Sequence, residues 1–396
     1  MKDYDLILVV GYFRSATSFL SVILGLGQTL RIAVLPVETD PSLQAKTGDA
    51  HVLYLNLCRE FGADLLSLGE RARATLLAVQ QFEYDDAMAQ AMQRSLTVSA
   101  RVGLMTLAMA GIPKHDAYLA QFGIRKVYVP SRRFMKFLLN KRGAKARYQG
   151  IEIEEVGLPF ARHPPFPEFS ADWVIAAPTL FSFYSEAGKQ QFLRTVNRLL
   201  DQIPSDDVVV YKPHNGNGLD YFAPRVHNQL AGLLAKVPCA QRVLRYVQML
   251  PWSWLRLQIE RVQSCMLHRA ILNRAIPMFR LTPYAGISLE AFLPGVRKGV
   301  LGGLSNTIWG TLYFNLPYYN CVDDSLRQGK SELLDKQSDA LLDLNLQYFG
   351  VPFCRGDLGM DTRQQGIVQA HEHGGNLVAA IMGDLARVRA AHCGVA

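Results

Sequence analysis

The sequence predicts an α/β protein built from two Rossmann-type domains with parallel sheets, and three observations predict it. The chain has 396 residues, more than one hydrophobic core ordinarily organises, so two domains are expected. Short apolar runs that stop at a loop are followed by stretches with helical spacing, the pattern of a buried parallel strand feeding a crossover helix. That unit recurs in both halves of the chain, which implies two parallel sheets.

Leu6 to Val10 is a continuous apolar run ending at Gly11, and Ala16 to Leu26 follows with helical spacing. Leu30 to Leu35 reads as a second strand. From about His51 to Gly111, Ala, Leu, Met and Gln dominate with few turn signals, so that stretch is predicted to be helix-rich. Val127–Val129 then Arg132–Leu139 repeats the strand-helix unit, and Ile151–Glu155 is a short strand. Four prolines between Pro159 and Pro167 can continue neither a helix nor a central strand, so extended surface chain is expected there. Trp173–Ala177 resumes as strand and Glu186–Leu200 as helix. In the second half, Asp207–Tyr211, Arg297–Leu301 and Leu316–Cys321 read as strands. Leu219–Leu234, Cys239–Ala275, Ser305–Tyr313 and about Gln364–Ala391 read as helices. The expected division is 1–190, 200–370 and a terminal helix at 371–396 that packs back on the first domain.

Composition bounds the partners. Apolar residues make up 49% and charged residues 19% of the chain, which excludes wholesale disorder. The net charge of +8 comes without a basic run, which favours a polyanionic small partner, an acidic glycan or an anionic membrane face over a nucleic acid. Six scattered cysteines without C-x-x-C read as reduced thiols of a cytoplasmic protein, and no metal site is expected. The start of the chain is too short and acidic for a signal peptide, and no apolar run spans a bilayer, so membrane contact would be peripheral. Cys239 to Arg280 carries seven arginines against Glu260, with Trp252 and Trp254, a composition suited to an anionic face of the inner membrane or an acidic glycan acceptor, with an ordinary amphipathic helix pair on the domain surface as the alternative.

Ligands of parallel sheets bind outside the carboxyl ends of the strands, and four loops there stand out. Gly11-Tyr12-Phe13-Arg14-Ser15-Ala16-Thr17 opens a helix and could hold an anion or equally be a capped helix start. In Glu152-Ile153-Glu154-Glu155-Val156-Gly157 the strand alternation puts Glu152 and Glu154 on one face and Glu155 on the other. Either Glu154 or Glu155 is a candidate general base, Glu155 favoured as nearer the glycine turn, with ordinary surface glutamates as the alternative. Lys212-Pro213-His214-Asn215 ends a buried strand in a glycine-rich turn, where a His could serve a leaving phosphate. Gly302-Gly303-Leu304-Ser305-Asn306-Thr307 combines a glycine turn with a hydroxyl-rich helix start, either a phosphate cradle or a tight strand–helix turn.

These residues resemble the bacterial sialyltransferase and polysialyltransferase group. Glu154-Glu155-Val156-Gly157, Lys212-Pro213-His214 and Ser305-Asn306-Thr307 are similar to its acidic-acidic-Gly, Lys-Pro-His-Pro and Ser/Thr motifs, in the same order. Ile287-Ser288-Leu289-Glu290 resembles the segment whose Glu grips the nucleotide. Val156 interrupts the first motif and Asn215 replaces a proline in the second. The resemblance implies the GT-B fold, two domains across a central cleft, and a glycosyltransferase of polysaccharide biosynthesis, of capsule or lipopolysaccharide. It implies a CMP-linked acidic sugar, sialic acid or Kdo, as co-substrate, a glycan or glycolipid acceptor, and neither cofactor nor metal. In that chemistry Glu154 or Glu155 takes the acceptor proton, while His214 and the Ser305–Thr307 turn stabilise departing CMP, with Lys212, Pro213, Asn215, Gly302 and Gly303 around the nucleotide.

Two other classes fit parts of the sequence. Gly11, Tyr12, Arg14 and Ser15 also resemble the phosphosulfate-binding loop of sulfotransferases, with Ala16 where a glycine is expected, which would make the co-substrate 3′-phosphoadenylyl sulfate. A non-catalytic subunit of a glycan-assembly complex is the third class.

Overall fold

In the computed structural model the residues described are 1–11, 13–37, 55–105, 113–142, 144–158, 166–176, 186–212, 274–282, 287–303, 307–322 and 377–392, with scattered positions elsewhere. They form two parallel sheets. The first has seven strands in the order β3-β2-β1-β4-β5-β6-β7: β1 Lys2–Val10, β2 Ile32–Pro36, β3 Ala63–Leu65, β4 Ala72–Gln80, β5 Leu96–Leu104, β6 Lys126–Val129 and β7 Glu152–Glu155. The second has five in the order β10-β9-β8-β11-β12: β8 Ala171–Ala176, β9 Val209–Lys212, β10 Ile276–Pro277, β11 Val296–Gly302 and β12 Tyr318–Asn320. In both, the first strand pairs with its successor on one side and with its fourth strand on the other, so the winding reverses between β1 and β4 and again between β8 and β11. That reversal is the Rossmann arrangement.

The helices follow from the crossovers: α1 Phe13–Leu26, α2 Asp86–Ser95, α3 Pro113–Asp116, α4 Tyr118–Gln121, α5 Arg132–Arg142, α6 Glu186–Leu200, α7 Thr307–Tyr313 and α8 Leu377–His392. Right-handed crossovers stepping in opposite directions put α1 and α5 on opposite faces of the first sheet. The C-terminal α8 lies against α1 and β4, with Leu377, Ile381 and Leu385 buried in the first sheet's core.

The stretch predicted as helix between His51 and Gly111 is a correction. It contains β3, β4 and β5, with α2 as its one long helix among the described residues. The reason is burial: β4 reads Ala-Arg-Ala-Thr-Leu-Leu-Ala-Val-Gln, and its last five residues are buried on both faces. Such a strand loses the alternation that marks a half-exposed one. β8 pairs with β9 and β11, so the second sheet begins at Ala171, upstream of the expected limit at 190. The helices read at 219–234 and 239–275, and residues 364–376 of the last helix, lie almost wholly outside the described residues.

The core is continuous between the sheets. β1, β4, β8 and β11 contribute to one cluster through Leu8, Val79, Val174 and Val300, while the outer face of the second sheet packs Trp173, Ile175, Val209 and Leu301 on Phe192 and Val196 of α6.

Candidate functional site

At the winding reversal of the first sheet, the strand end is closed. The Gly11 amide donates to Gln80 Oε1 at 3.2 Å, and a Cβ at Gly11 would run into the Phe82 ring, so this glycine serves close packing. Tyr12 lies outside the described residues; Arg14 and Ser15 fall in the first turn of α1, with nothing described of their side chains. Beside this point, Gln81 Nε2 donates to Asp116 Oδ1 at 2.5 Å, Tyr148 OH donates to the same oxygen at 2.8 Å, and Arg147 Nε reaches Oδ2 at 2.7 Å. Burial pushes the Asp116 carboxyl above its usual range, against the lowering pull of Arg147, Tyr148 and Gln81.

The acidic strand β7 divides its glutamates as the alternation requires. Glu152 and Glu154 both turn to Lys126 of β6, Glu152 at 3.6 Å and Glu154 in a shorter ion pair. Lys126 Nζ also donates to Asp384 Oδ1 of α8 at 2.9 Å. Asp384 accepts further hydrogen bonds from Tyr128 and Arg387. Burial would raise the Asp384 carboxyl and depress the Lys126 ammonium, but the hydrogen bonds each receives or gives reverse both directions, leaving Asp384 lowered and Lys126 raised. Glu155 ends the strand opposite Val129, half-buried, and its carboxylate makes no hydrogen bond or ion pair among the described residues. Gly157 follows with φ of 71°, a left-handed backbone that glycine adopts without strain.

In the second sheet, Lys212, Ala176, Gly302 and Asn320 lie in one row across the carboxyl ends of β9, β8, β11 and β12. Lys212 and Asn320 are buried, as polar groups at a strand end are when they serve other polar groups. Gly302 is pressed by Tyr318 and the Ala176 carbonyl, so a side chain there would not fit, and the Gly303 carbonyl accepts a hydrogen bond from Tyr318 OH. Thr307, buried, opens α7. Glu290 accepts from Ser288 Oγ and its Cγ lies where a side chain at Gly310 of α7 would go. Pro213, His214, Asn215, Ser305 and Asn306 lie outside the described residues.

One contact relates the two strand ends. Phe134, in the first turn of α5, meets Trp309, in the first turn of α7, edge to face at 4.7 Å between centroids. Both helices start where a strand has just ended, at β6 and at β11. The helix starts that follow the carboxyl ends of β6 and β11 are therefore packed against each other. Glu155, one strand over from β6 and on the α5 face, lies on the same side.

Comparison with known proteins adds little. No protein-family model and no curated protein matches the chain. Among solved structures it is similar to Medicago truncatula UGT71G1 complexed with UDP-glucose, at 8% identity over 98% of this chain and 94% of that one, with a TM-score of 0.37. It is likewise similar to UDP-N-acetylglucosamine 2-epimerase, at 12% identity over 100% of this chain and 98% of that one, with a TM-score of 0.38. Scores of that size carry no functional weight, and the fold is defined by the two strand orders themselves.

Sequence reasoning missed Lys126, Asp384, Gln80 and Asp116. The first had a signal, a lysine opening a short strand whose other residues are Val-Tyr-Val. Asp384 had none, since its partner lies 258 residues away. Among the described residues no helix is long and apolar enough to cross a membrane.

Proposed function

We propose that this protein is a GT-B-like glycosyltransferase that moves an acidic sugar from a CMP-linked donor to a hydroxyl of a glycan or glycolipid. The observation that carries the reading is the Phe134–Trp309 contact, because it brings together the helix starts that follow the carboxyl ends of one strand from each Rossmann sheet. A donor held by the second sheet and an acceptor held by the first would then meet between them. Glu155 removes the acceptor proton, the acceptor oxygen bonds the anomeric carbon, and the bond from that carbon to the phosphate breaks, leaving CMP with the electron pair. His214 and the start of α7 at Thr307 stabilise the charge on the departing phosphate, and Glu290, beside α7, binds the nucleotide. The Gly11 amide weighs against a phosphosulfate cradle, since it is already taken by Gln80.

Peripheral membrane contact through the 239–280 stretch belongs to the same reading. Exposed apolar Val243 within that stretch, with Leu230, Leu233 and Val237 just before it, supports it, and co-sedimentation with anionic vesicles tests it. For the donor, thermal-shift measurements with CMP, UDP, GDP and adenosine 3′,5′-bisphosphate decide. A ligand of the folded state raises apparent stability, and CMP is expected to do so most. A response confined to adenosine 3′,5′-bisphosphate would overturn the assignment in favour of sulfuryl transfer.

A further inference from the structure

Two adjacent glutamates, Glu154 and Glu155, compete for the same description as a base, and the fold separates them. β7 is an edge strand four residues long, paired on one side with β6 alone. So short a ladder holds its register weakly, and because side chains alternate, a slip of one residue would exchange the faces of Glu154 and Glu155.

What opposes the slip is a matched set of charges on the α8 face. Lys126 and Tyr128 of β6 stand opposite Glu152 and Glu154 of β7. In this register Lys126 meets two carboxylates from β7 and a third, Asp384, from α8. After a slip of one residue toward the start of the strand, Glu155 would take the place of Glu154 and Ile153 that of Glu152, leaving Lys126 with one β7 partner. Lys126 is itself held in place from the helix side, where Asp384 is 8% exposed and also bonded to Tyr128 and Arg387. A buried carboxylate with three donors is costly to move.

We propose that Lys126 and Asp384 are positioning residues that lock the register of β7 and thereby decide which glutamate is presented between the sheets: Glu155, with Glu154 retained under α8. The C-terminal helix is in this view a working part of the domain that carries the base. The inference deepens the glycosyl-transfer reading, and rests on it only for the catalytic consequence.

The test uses the full-length protein with Lys126→Met, Lys126→Arg and Asp384→Asn. Amide hydrogen exchange, which needs no substrate, reads the lock directly. Lys126→Met is expected to lower protection across 152–156 by about tenfold or more, with β1 and β4 unchanged, and Lys126→Arg to restore most of it. Unchanged β7 protection in both Lys126→Met and Asp384→Asn would overturn the lock, whatever the protein catalyses. Release of CMP from CMP-sialic acid reads the consequence. There kcat should fall about tenfold or more in Lys126→Met with KM for the donor little changed, because the donor is held by the other sheet. A rise in KM alone, or equal loss of protection throughout the first sheet, would also overturn the proposal. Absence of CMP release in the unsubstituted protein, with the exchange result as expected, would instead refute the glycosyl-transfer reading and leave the lock standing.

Discussion

Among the described residues the first sheet has seven strands, three of them nine residues long, and the second has five strands of two to seven residues, yet both wind in the same order. At the first reversal, Gln80 takes the Gly11 amide, and the Phe82 ring packs on the glycine. At the second, a glycine pair, a buried lysine and a buried asparagine occupy the corresponding ends. The difference teaches that winding order says where a ligand could sit, while side chains at the strand ends decide which of two equivalent places is used. In the proposed function the first sheet would supply stability and the base, and the second would hold the nucleotide.

The largest expected effect tests that division on the second sheet. His214→Ala should lower transfer by about 10²- to 10³-fold with the melting temperature unchanged, the range seen when one donor to a developing charge is lost. Near-normal turnover would break the comparison. On the first sheet, Leu8→Ala removes a side chain that is fully buried in β1 and should cost about 2–5 kcal/mol in a denaturant titration. Nucleotide affinity measured well below the unfolding transition should stay as it was.

Gly11→Ala sharpens the contrast between the two reversals. Its Cβ meets the Phe82 ring, so destabilisation of about 1–3 kcal/mol is expected from overpacking, partly relieved in the double variant with Phe82→Leu. If Gly11→Ala instead abolished nucleotide binding at unchanged stability, the first reversal would be the nucleotide site.

Within the first sheet two buried carboxylates should respond to pH with opposite signs. Asp384 is held below its usual range by Tyr128, Lys126 and Arg387 against the effect of burial, so its contribution is present above the unfolded value and lost as pH falls through the folded one. Asp116 is raised by burial, so it favours folding at acid pH, and that contribution is lost as pH rises through its raised folded value. Urea midpoints measured from about pH 3 to about pH 5 should therefore flatten at the acid end in Asp384→Asn. An unaltered profile would remove Asp384 from the charge set around Lys126. The smallest effect belongs to the surface pair of Arg389 with Asp5, 2.6 Å apart and half-exposed at the arginine. Arg389→Ala should change stability by about 1 kcal/mol or less, and a larger loss would show that α8 is anchored there instead of at Lys126.

Much of the architecture could be read from local pattern alone. The apolar run before Gly11, the Val127–Val129 strand with its following helix, and Glu186–Leu200 are where their spacing places them. Leu96–Leu104, expected as helix, carried a strand signal that the expectation passed over, since Thr97, Ser99 and Arg101 alternate with Leu96, Val98 and Ala100. The Ala- and Leu-rich composition around it suggests a helix instead. β4 was not legible, because a strand buried on both faces has no alternation to read.

The site divides the same way. Sequence by itself determined that Glu154 and Glu155 face opposite ways, because a strand turns its side chains with a period of two whatever surrounds it. It determined as well that glycines would follow the strands at Gly11, Gly157 and Gly303. Only the tertiary structure decided which glutamate is engaged, through a lysine on a neighbouring strand and an aspartate 258 residues from that lysine, and that the Gly11 turn is closed by a glutamine 69 residues on. Period and composition are properties of a few consecutive residues, whereas a charge or an amide is satisfied by whatever the packed chain brings beside it, and no local pattern records that.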